Sequence, residues 1–223
     1  MKGNLTRQQI IESADDLFYE RGFEHTSFSD IALAVNISRG NFYYHFKTKD
    51  QILDAVIDFR LSSTSEMLDE WHRAGDGPME RIFSFIQILI QNRLKIRKFG
   101  CPVGTLCSEL IKLDHPAQTG ASRIYMLFRT WLGRQFIQIG YGKKESDYYA
   151  MHVLAFSQGV ATLANAFDDE QFILQEVKNK KQWLLEVFNA GQSRKLKSTK
   201  RNAGKTDDKL SFLLNPQPKR DIT

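Results

Sequence analysis

The stretch that decides the fold runs from Thr26 to Gln51 and reads TSFSDIALAVNISRGNFYYHFKTKDQ. It contains two short helical segments separated by a tight turn around Asn36. Ser27 and Ser38 stand immediately before these segments, where a serine hydroxyl caps a helix. Asn tolerates the left-handed backbone that such a turn favours better than most residues do. The stretch therefore predicts a helix-turn-helix, with Asn36 in the left-handed conformation.

The second helix, from Ser38 to Phe46, exposes an unusual set of side chains. Phe42 and Phe46 face inward at i, i+4, and Gly40 allows close approach to another surface. From residue 37 to 49 there are three positive charges and no negative ones. Tyr, Lys and helix N-terminal amides contact phosphates, whereas residues near the helix N-terminus read base edges in the major groove. We expect Arg39 and Asn41 to read bases. The predicted DNA-contacting residues are Thr26, Ser27, Ser38, Arg39, Gly40, Asn41, Tyr43, Tyr44, His45, Lys47 and Lys49. The alternative is an ordinary helical hairpin with a solvated polar face.

Outside this stretch, helical periodicity dominates and no alternating strand pattern of useful length appears. Gly75, Gly77 and Pro78 break the pattern once, and the segment 140–142 breaks it again. The predicted fold class is all-α. We predict a helix-turn-helix domain of three helices over residues 1–48, a helical ligand-binding and dimerisation domain over 49–190, and a basic, disordered tail over 191–223.

Composition fits a soluble, intracellular protein. The chain has 223 residues, of which 42% are hydrophobic and 26% charged. Its two cysteines, Cys101 and Cys107, are too few for a disulfide scaffold. The N-terminus lacks the apolar segment of a signal peptide, and no stretch is apolar enough to span a membrane. We expect a cytoplasmic location and no membrane partner.

The net charge of +5 comes from the C-terminal tail. Residues 191–223 hold nine Lys or Arg and three Asp, so the remaining residues carry a net charge of −1. Low hydrophobicity and like charges predict disorder there. The tail either solubilises the protein or makes auxiliary contacts to nucleic acid.

The run ISRGNFYYHFKTKD over residues 37–50 resembles the DNA-binding signature of the TetR (tetracycline-repressor-like, TetR/AcrR) regulators. Ala14, Leu17, Phe18, Gly22, Phe23, Thr26 and Ile31 are similar to that family's first two helices, so the resemblance covers about residues 6–53. Two residues depart from the pattern: Asn36 replaces the usual glycine, and Asn41 stands where a smaller residue is usual. The resemblance implies a homodimer that binds a double-stranded DNA operator and responds to a small-molecule effector.

The resemblance implies a dimer interface made by the last two long helices, and a charge-free stripe in the segment 148–167 fits it. The predicted interface residues are Leu154, Ser157, Gln158, Ala161, Ala164, Asn165, Leu184, Val187 and Phe188. The alternative is that these residues fill the core of their own chain, because periodicity does not separate core from interface.

Apolar side chains in the larger domain are candidates for an effector pocket, although aromatic residues at helical spacing also form ordinary core. The candidate ligand-binding residues are Phe85, Leu89, Phe99, Cys101, Leu106, Leu110, Phe128, Trp131 and Phe156. The Gly100-Cys101-Pro102 loop resembles one branch of the same family, in which a cysteine senses oxidants or electrophiles. The alternative for Cys101 is a small residue packed in a tight loop.

No catalytic constellation or metal site is indicated. Ser157 lies in a near match to a nucleophile elbow, but inside a helical run where that motif needs a strand. The five histidines lack metal-ligand spacing, so no cofactor or metal is expected. The prediction is a sequence-specific DNA-binding regulator, a ligand-responsive homodimeric repressor, and not an enzyme. The alternatives are an activator or dual regulator of the same fold, or a helical small-molecule-binding protein or enzyme.

Overall fold

The computed structural model describes the backbone of residues 2–214 and the side chains of residues 5–194. All regular structure in this part of the chain is helical, as predicted. The helices are α1 Lys2–Arg21, α2 Phe28–Val35, α3 Arg39–His45, α4 Lys49–Ala74, α5 Pro78–Gln91, α6 Arg93–Phe99, α7 Pro102–Lys112, α8 Gln118–Ile139, α9 Lys143–Ala166 and α10 Glu170–Leu214. No helix among these is long and apolar enough to cross a membrane.

Two hydrophobic cores organise the helices. The N-terminal core is formed by α1, α2 and α3, but the first half of α4 and the inner face of α7 complete it. The C-terminal core is formed by α5, α8, α9 and α10, with smaller contributions from α4 and α6. Helix α4 contributes Val56 to the first core and Leu68 to the second. The boundary predicted between residues 48 and 49 coincides with the turn before α4, but the first core continues past it into α4.

Local sequence sets where the helices begin and end. The Thr48 hydroxyl accepts a hydrogen bond from the Gln51 amide and caps α4. Pro78 occupies the first turn of α5, where its missing N–H costs nothing. Gly140, with φ of 124°, ends α8 in a backbone conformation that favours glycine.

The C-terminal segment differs from the sequence prediction. Helix α10 continues to Leu214, whereas disorder was predicted from residue 191. Residues 191–214 contain no proline and are rich in Lys, Arg and Leu, which are good helix formers. Charge composition alone was therefore a poor guide to the backbone here. Residues 215–223 of the predicted tail lie outside the described residues.

Candidate nucleic-acid interface and ligand cavity

The turn between α2 and α3 has the predicted geometry. Asn36 ends α2 with φ 55° and ψ 47°, in the left-handed region. Its amide donates to the Leu33 carbonyl, and the Ile37 amide donates to the Ala32 carbonyl. These two bonds form the Schellman arrangement that satisfies the last carbonyls of a helix. The turn thus fixes the direction in which α3 leaves α2.

Both helices of the pair are capped by serine. The Ser27 side chain accepts from the Asp30 amide, and the Asp30 carboxylate accepts from the Ser27 amide at 2.8 Å, which makes a capping box. Hydrogen bonds from Ser27 lower the pKa of Asp30. The Ser38 hydroxyl accepts from the Asn41 amide at 3.3 Å at the start of α3. The cap positions predicted from the sequence are confirmed.

Helix α3 is anchored by aromatic side chains. Phe42 and the C-cap residue Phe46 are buried, as the spacing predicted. The Phe28 ring packs edge-on against Phe42 at 5.2 Å and stacks on Tyr43 at 5.5 Å. These contacts hold a helix of only seven residues in a fixed orientation.

The opposite face of α3 is open to solvent. Arg39, Gly40 and Asn41 are exposed, and Tyr44 is 78% exposed. A Cβ added to Gly40 meets no atom within 4 Å, so the surface above the backbone is empty. The Arg39 guanidinium donates to the Ser29 hydroxyl at 3.3 Å. The face presents the donors and the clear backbone approach that a DNA groove requires.

Other predicted DNA-contacting residues lie around this face and are exposed or half-buried. His45 is half-buried beside the Tyr44 ring, and Lys47 is exposed, with its ammonium donating to the Tyr43 carbonyl. Ser27 and Ser38 are exposed while they cap their helices. These side chains surround the open face of α3.

Two residues in the predicted DNA-contacting set make contacts within the chain. Thr26 is fully buried, and its hydroxyl donates to the Gly22 carbonyl at 2.7 Å. The Lys49 ammonium donates to the carbonyls of Phe23 and Glu24 at 3.0 and 3.2 Å and lies over the Phe23 ring. Burial contradicts the predicted DNA contact of the Thr26 side chain, whereas the half-buried Lys49 stays a predicted contact that also holds the loop after α1.

The same loop is held from the larger domain by Glu109, a residue that the sequence analysis missed. One carboxylate oxygen accepts from the Phe23 amide and the other from the Glu24 amide, each at 2.9 Å. Gly22 has φ of 90°, and a Cβ there would lie 2.9 Å from the Glu109 carboxylate. A carboxylate that receives two adjacent amides is a strong, oriented contact. Glu109 therefore joins α7 to the loop that leads into α2.

Two further contacts join the domains near the start of α7. The Tyr19 hydroxyl of α1 donates to the Gly100 carbonyl at 2.8 Å. Arg60 of α4 pairs with Asp15 of α1 and donates to the Pro102 carbonyl at 2.6 Å. Burial raises the pKa of Asp15 despite the neighbouring guanidinium. Helix α7 is thus attached to the N-terminal domain at both ends.

An apolar cavity of about 170 Å³ lies between α5, α6, the start of α7, α8 and α9. It contains four of the predicted ligand-binding residues: Phe85, Leu89, Cys101 and Phe128. Cys101 also caps α7, since its Sγ accepts from the Gly104 amide at 3.5 Å. Apolar walls with a few polar groups are typical of small-molecule sites.

The other five predicted ligand-binding residues do not line this cavity. Leu106 and Leu110 fill the N-terminal core. Trp131 packs against Trp71 in the C-terminal core. The remaining two rings contact other parts of the chain, namely Phe99 against Tyr19, and Phe156 beneath the Lys180 ammonium.

Most of the predicted dimer-interface residues are buried in their own chain. This set is Leu154, Ser157, Ala161, Ala164, Leu184 and Val187. Their prediction as interface residues is wrong, because α8 and α10 already cover that face of α9. Gln158 and Phe188 are half-buried and Asn165 is exposed. The exposed face of the α8–α9 pair contains Met126, Ile137, Met151, Ala155, Gly159 and Leu163.

The fold and the open face of α3 define a helix-turn-helix protein with a larger helical domain. Residues 10–56 match the family model described as bacterial regulatory proteins, tetR family. The regulator TtgR of Pseudomonas putida is 39% identical over 75 residues, which are 34% of each chain. The transcriptional repressor DhaR of a Mycobacterium species is 27% identical over 123 residues, 53% of this chain and 59% of that one. The chain therefore spans about one third to three fifths of the length of these relatives.

The likeness to solved structures extends further along the chain. A TetR transcriptional regulator from Legionella pneumophila superposes with a TM-score of 0.70 and 25% identity, over 78% of this chain and 94% of that one. The alignment includes the helical domain that follows the helix-turn-helix. Residues 10–56 are therefore similar to the helix-turn-helix segment of the tetR family of bacterial regulatory proteins, and the likeness in fold extends into the larger helical domain.

Proposed function

We propose that the protein is a sequence-specific DNA-binding transcriptional regulator, a ligand-responsive homodimeric repressor of the cytoplasm. The observation that carries the proposal is the open, polar face of α3, which is anchored behind by Phe42 and Phe46. DhaR, a relative of 27% identity, is named a repressor, which favours repression over activation. The proposal needs no catalytic step.

Within this proposal, contacts to DNA divide into two kinds. Arg39 and Asn41 stand near the N-terminus of α3 and read base edges, while Tyr44 and Lys47 contact phosphates and fix the register. Gly40 leaves room for the groove wall. In a dimer, two copies of α3 enter successive major grooves about 34–36 Å apart.

The dimer forms through the exposed face of α8 and α9. Met126 and Ile137 of α8 are each 50% exposed, and Met151 of α9 is 41% exposed. The small residues Ala155 and Gly159 between them permit close packing of helices. Exposed apolar surface of this kind is typical of an association site. The interface thus uses the face of α9 opposite to the one predicted from the sequence.

Helix α7 couples the cavity to the DNA-binding domain. Its first residues, Pro102 and Val103, line the cavity, and Glu109 holds the loop after α1. At about 1.5 Å per residue these points are roughly 9–11 Å apart along one rigid helix. A ligand in the cavity, or modification of Cys101, displaces α7 and so changes the separation of the two α3 helices. The effector needs only to bind more tightly to the dimer conformation in which the two α3 helices are not spaced for DNA than to the conformation that binds DNA.

The test is binding to operator DNA selected from random sequence, measured at about 0.15 M salt with excess competitor. We expect a dissociation constant of about 10⁻⁸ M or tighter. Arg39→Ala and Asn41→Ala alter base preference, whereas Tyr44→Ala weakens binding to all sequences equally. Arg123→Ala, on the exposed surface of α8, is the matched control.

The outcomes separate the alternatives. Only weak, salt-labile binding would exclude the regulator and favour a ligand carrier or an enzyme. Equal losses with unchanged base preference for Arg39→Ala, Asn41→Ala and Tyr44→Ala would contradict the division of roles. Transcription in vitro from a promoter carrying the operator distinguishes repression from activation.

A further inference from the structure

The cavity has an uneven distribution of polar groups that specifies the charge of its ligand. This inference rests on the proposed function, since it concerns the effector of the same regulator. The walls are formed mainly by aromatic and aliphatic side chains, among them Phe85, Leu89 and Phe128. Besides Tyr19, whose hydroxyl is bonded to the Gly100 carbonyl, the polar side chains of the lining form two groups, one on α9 and α8 and one beside α6.

At the mouth, Lys95 is the one charged residue of the lining, and Asn92 lies beside it. Both are exposed, and Lys95 forms no ion pair within the described residues. The lining contains no aspartate or glutamate. Asp15, which is outside the lining and interacts electrostatically with Lys95, is paired with Arg60. A cationic ligand therefore finds no counter-charge here, while an anionic one does.

On the α8 and α9 side of the cavity, Tyr125, Gln158 and Ser157 form a short hydrogen-bonded chain. The Tyr125 hydroxyl donates to the Gln158 side-chain oxygen at 2.7 Å, and the Gln158 amide donates to the Ser157 hydroxyl at 3.2 Å. A Cβ at Gly104 would lie 2.6 Å from the Gln158 oxygen, so this glycine makes room for the chain. One N–H of Gln158 and the lone pairs of the Tyr125 oxygen have no partner among the hydrogen bonds of the described residues. This side of the cavity lining offers polar contacts, but no charge.

We infer that the effector is an anionic amphipathic molecule with an aromatic or aliphatic body, such as an arylalkyl carboxylate. Its body lies against Phe85 and Phe128, and its carboxylate faces Lys95 at the mouth. Any uncharged polar group of the ligand faces Tyr125 and Gln158. The absence of a carboxylate from the lining selects against cations by leaving their charge unpaired.

The experiment uses three probes with the same body: phenylbutyrate, phenylbutanol and phenylbutylamine. Their affinities for the full-length protein are measured by calorimetry and by the shift in thermal unfolding. We expect the carboxylate to bind most tightly and the amine least tightly. Lys95→Gln lowers carboxylate affinity about two- to fivefold, towards that of the alcohol, because the contact lies at an exposed mouth. Added salt reduces the advantage of the carboxylate in the wild type only.

Lys98→Gln is the matched control, since the Lys98 ammonium lies over the Phe99 ring outside the cavity lining. This variant keeps the wild-type order of affinities. Binding of the amine as tightly as the carboxylate, or an unchanged carboxylate-to-alcohol ratio in Lys95→Gln, would overturn the inference. Absence of binding by all three probes would overturn it as well. Operator binding measured on the same preparations shows separately whether the proposed regulator stands.

Discussion

Replacement of Glu109 by glutamine tests the connection between α7 and the DNA-binding domain. In the native protein the two carboxylate oxygens accept from consecutive amides, at 2.9 Å each. A glutamine side chain keeps one acceptor and turns an NH₂ donor towards the other amide. Hydrogen bonds to a charged group contribute about 1.5–3 kcal/mol each. The Glu24 amide is at the exposed end of the contact, so water replaces part of the loss. We therefore expect Glu109→Gln to lower the free energy of unfolding by about 1–2 kcal/mol.

The assay is urea unfolding of the full-length protein followed by circular dichroism, with operator affinity measured where the variant is fully folded. If the whole loss of about 1–2 kcal/mol affects the orientation of the loop before α2, operator affinity decreases about five- to thirtyfold. Glu66→Gln is the control, because Glu66 is an exposed glutamate of α4 that accepts only a 3.3 Å bond from Ser62. Its effect stays within about 0.5 kcal/mol. An equal effect of the two substitutions on stability and operator affinity would refute the role of Glu109.

Three further predictions concern separate surfaces. Gly40→Ala fits the empty space above α3 and raises the free energy of unfolding by up to about 1 kcal/mol. The added methyl group weakens operator binding in a gel-shift assay, because it blocks the approach of the α3 backbone to the groove wall. Unimpaired binding would contradict that close approach. Met151→Glu on the exposed face of α9 dissociates the dimer in sedimentation equilibrium, whereas Gln91→Glu at the exposed end of α5 does not; equal association of the two variants would locate the interface elsewhere. Burial, together with the Lys180 ammonium 3.2 Å away, lowers the pKa of His152 below its ordinary value of 6.5, so the folded state takes up this proton less readily than the unfolded state. Stability therefore decreases as pH falls from about 7.5 to 5.5, and His152→Gln reduces that slope in urea unfolding at several pH values; an unchanged slope would contradict the pKa shift.

The helix-turn-helix could be predicted in detail because its determinants are local. Ser27 and Ser38 act through amides three residues away, and Asn36 acts through its own backbone angles. Phe42 and Phe46 share one face of one turn. Residue type and spacing carry this information, so the sequence predicted both the turn and the inward pair.

Features that depend on which helices meet could not be predicted in the same way. Ala161 and Leu184 have the periodicity of an interface, but a pattern of apolar residues does not say whether the covering surface belongs to the same chain. Leu110 belongs to α7, which lies between the N-terminal core and the cavity, and its side chain faces the core. Glu109 contacts main-chain amides 85 and 86 residues away, and nothing in its local sequence indicates such partners.

Each hydrogen bond that joins the α7 region to the N-terminal domain pairs a side chain with a main-chain atom. Tyr19 donates to the carbonyl of Gly100, Arg60 to the carbonyl of Pro102, and Glu109 receives two amides of the loop after α1. A main-chain partner is kept when the side chain at that position is replaced. None of the residues in these hydrogen bonds lies in α3. We therefore expect a chimera in which the exposed residues of α3 are replaced to change its operator preference and to keep its response to the original effector.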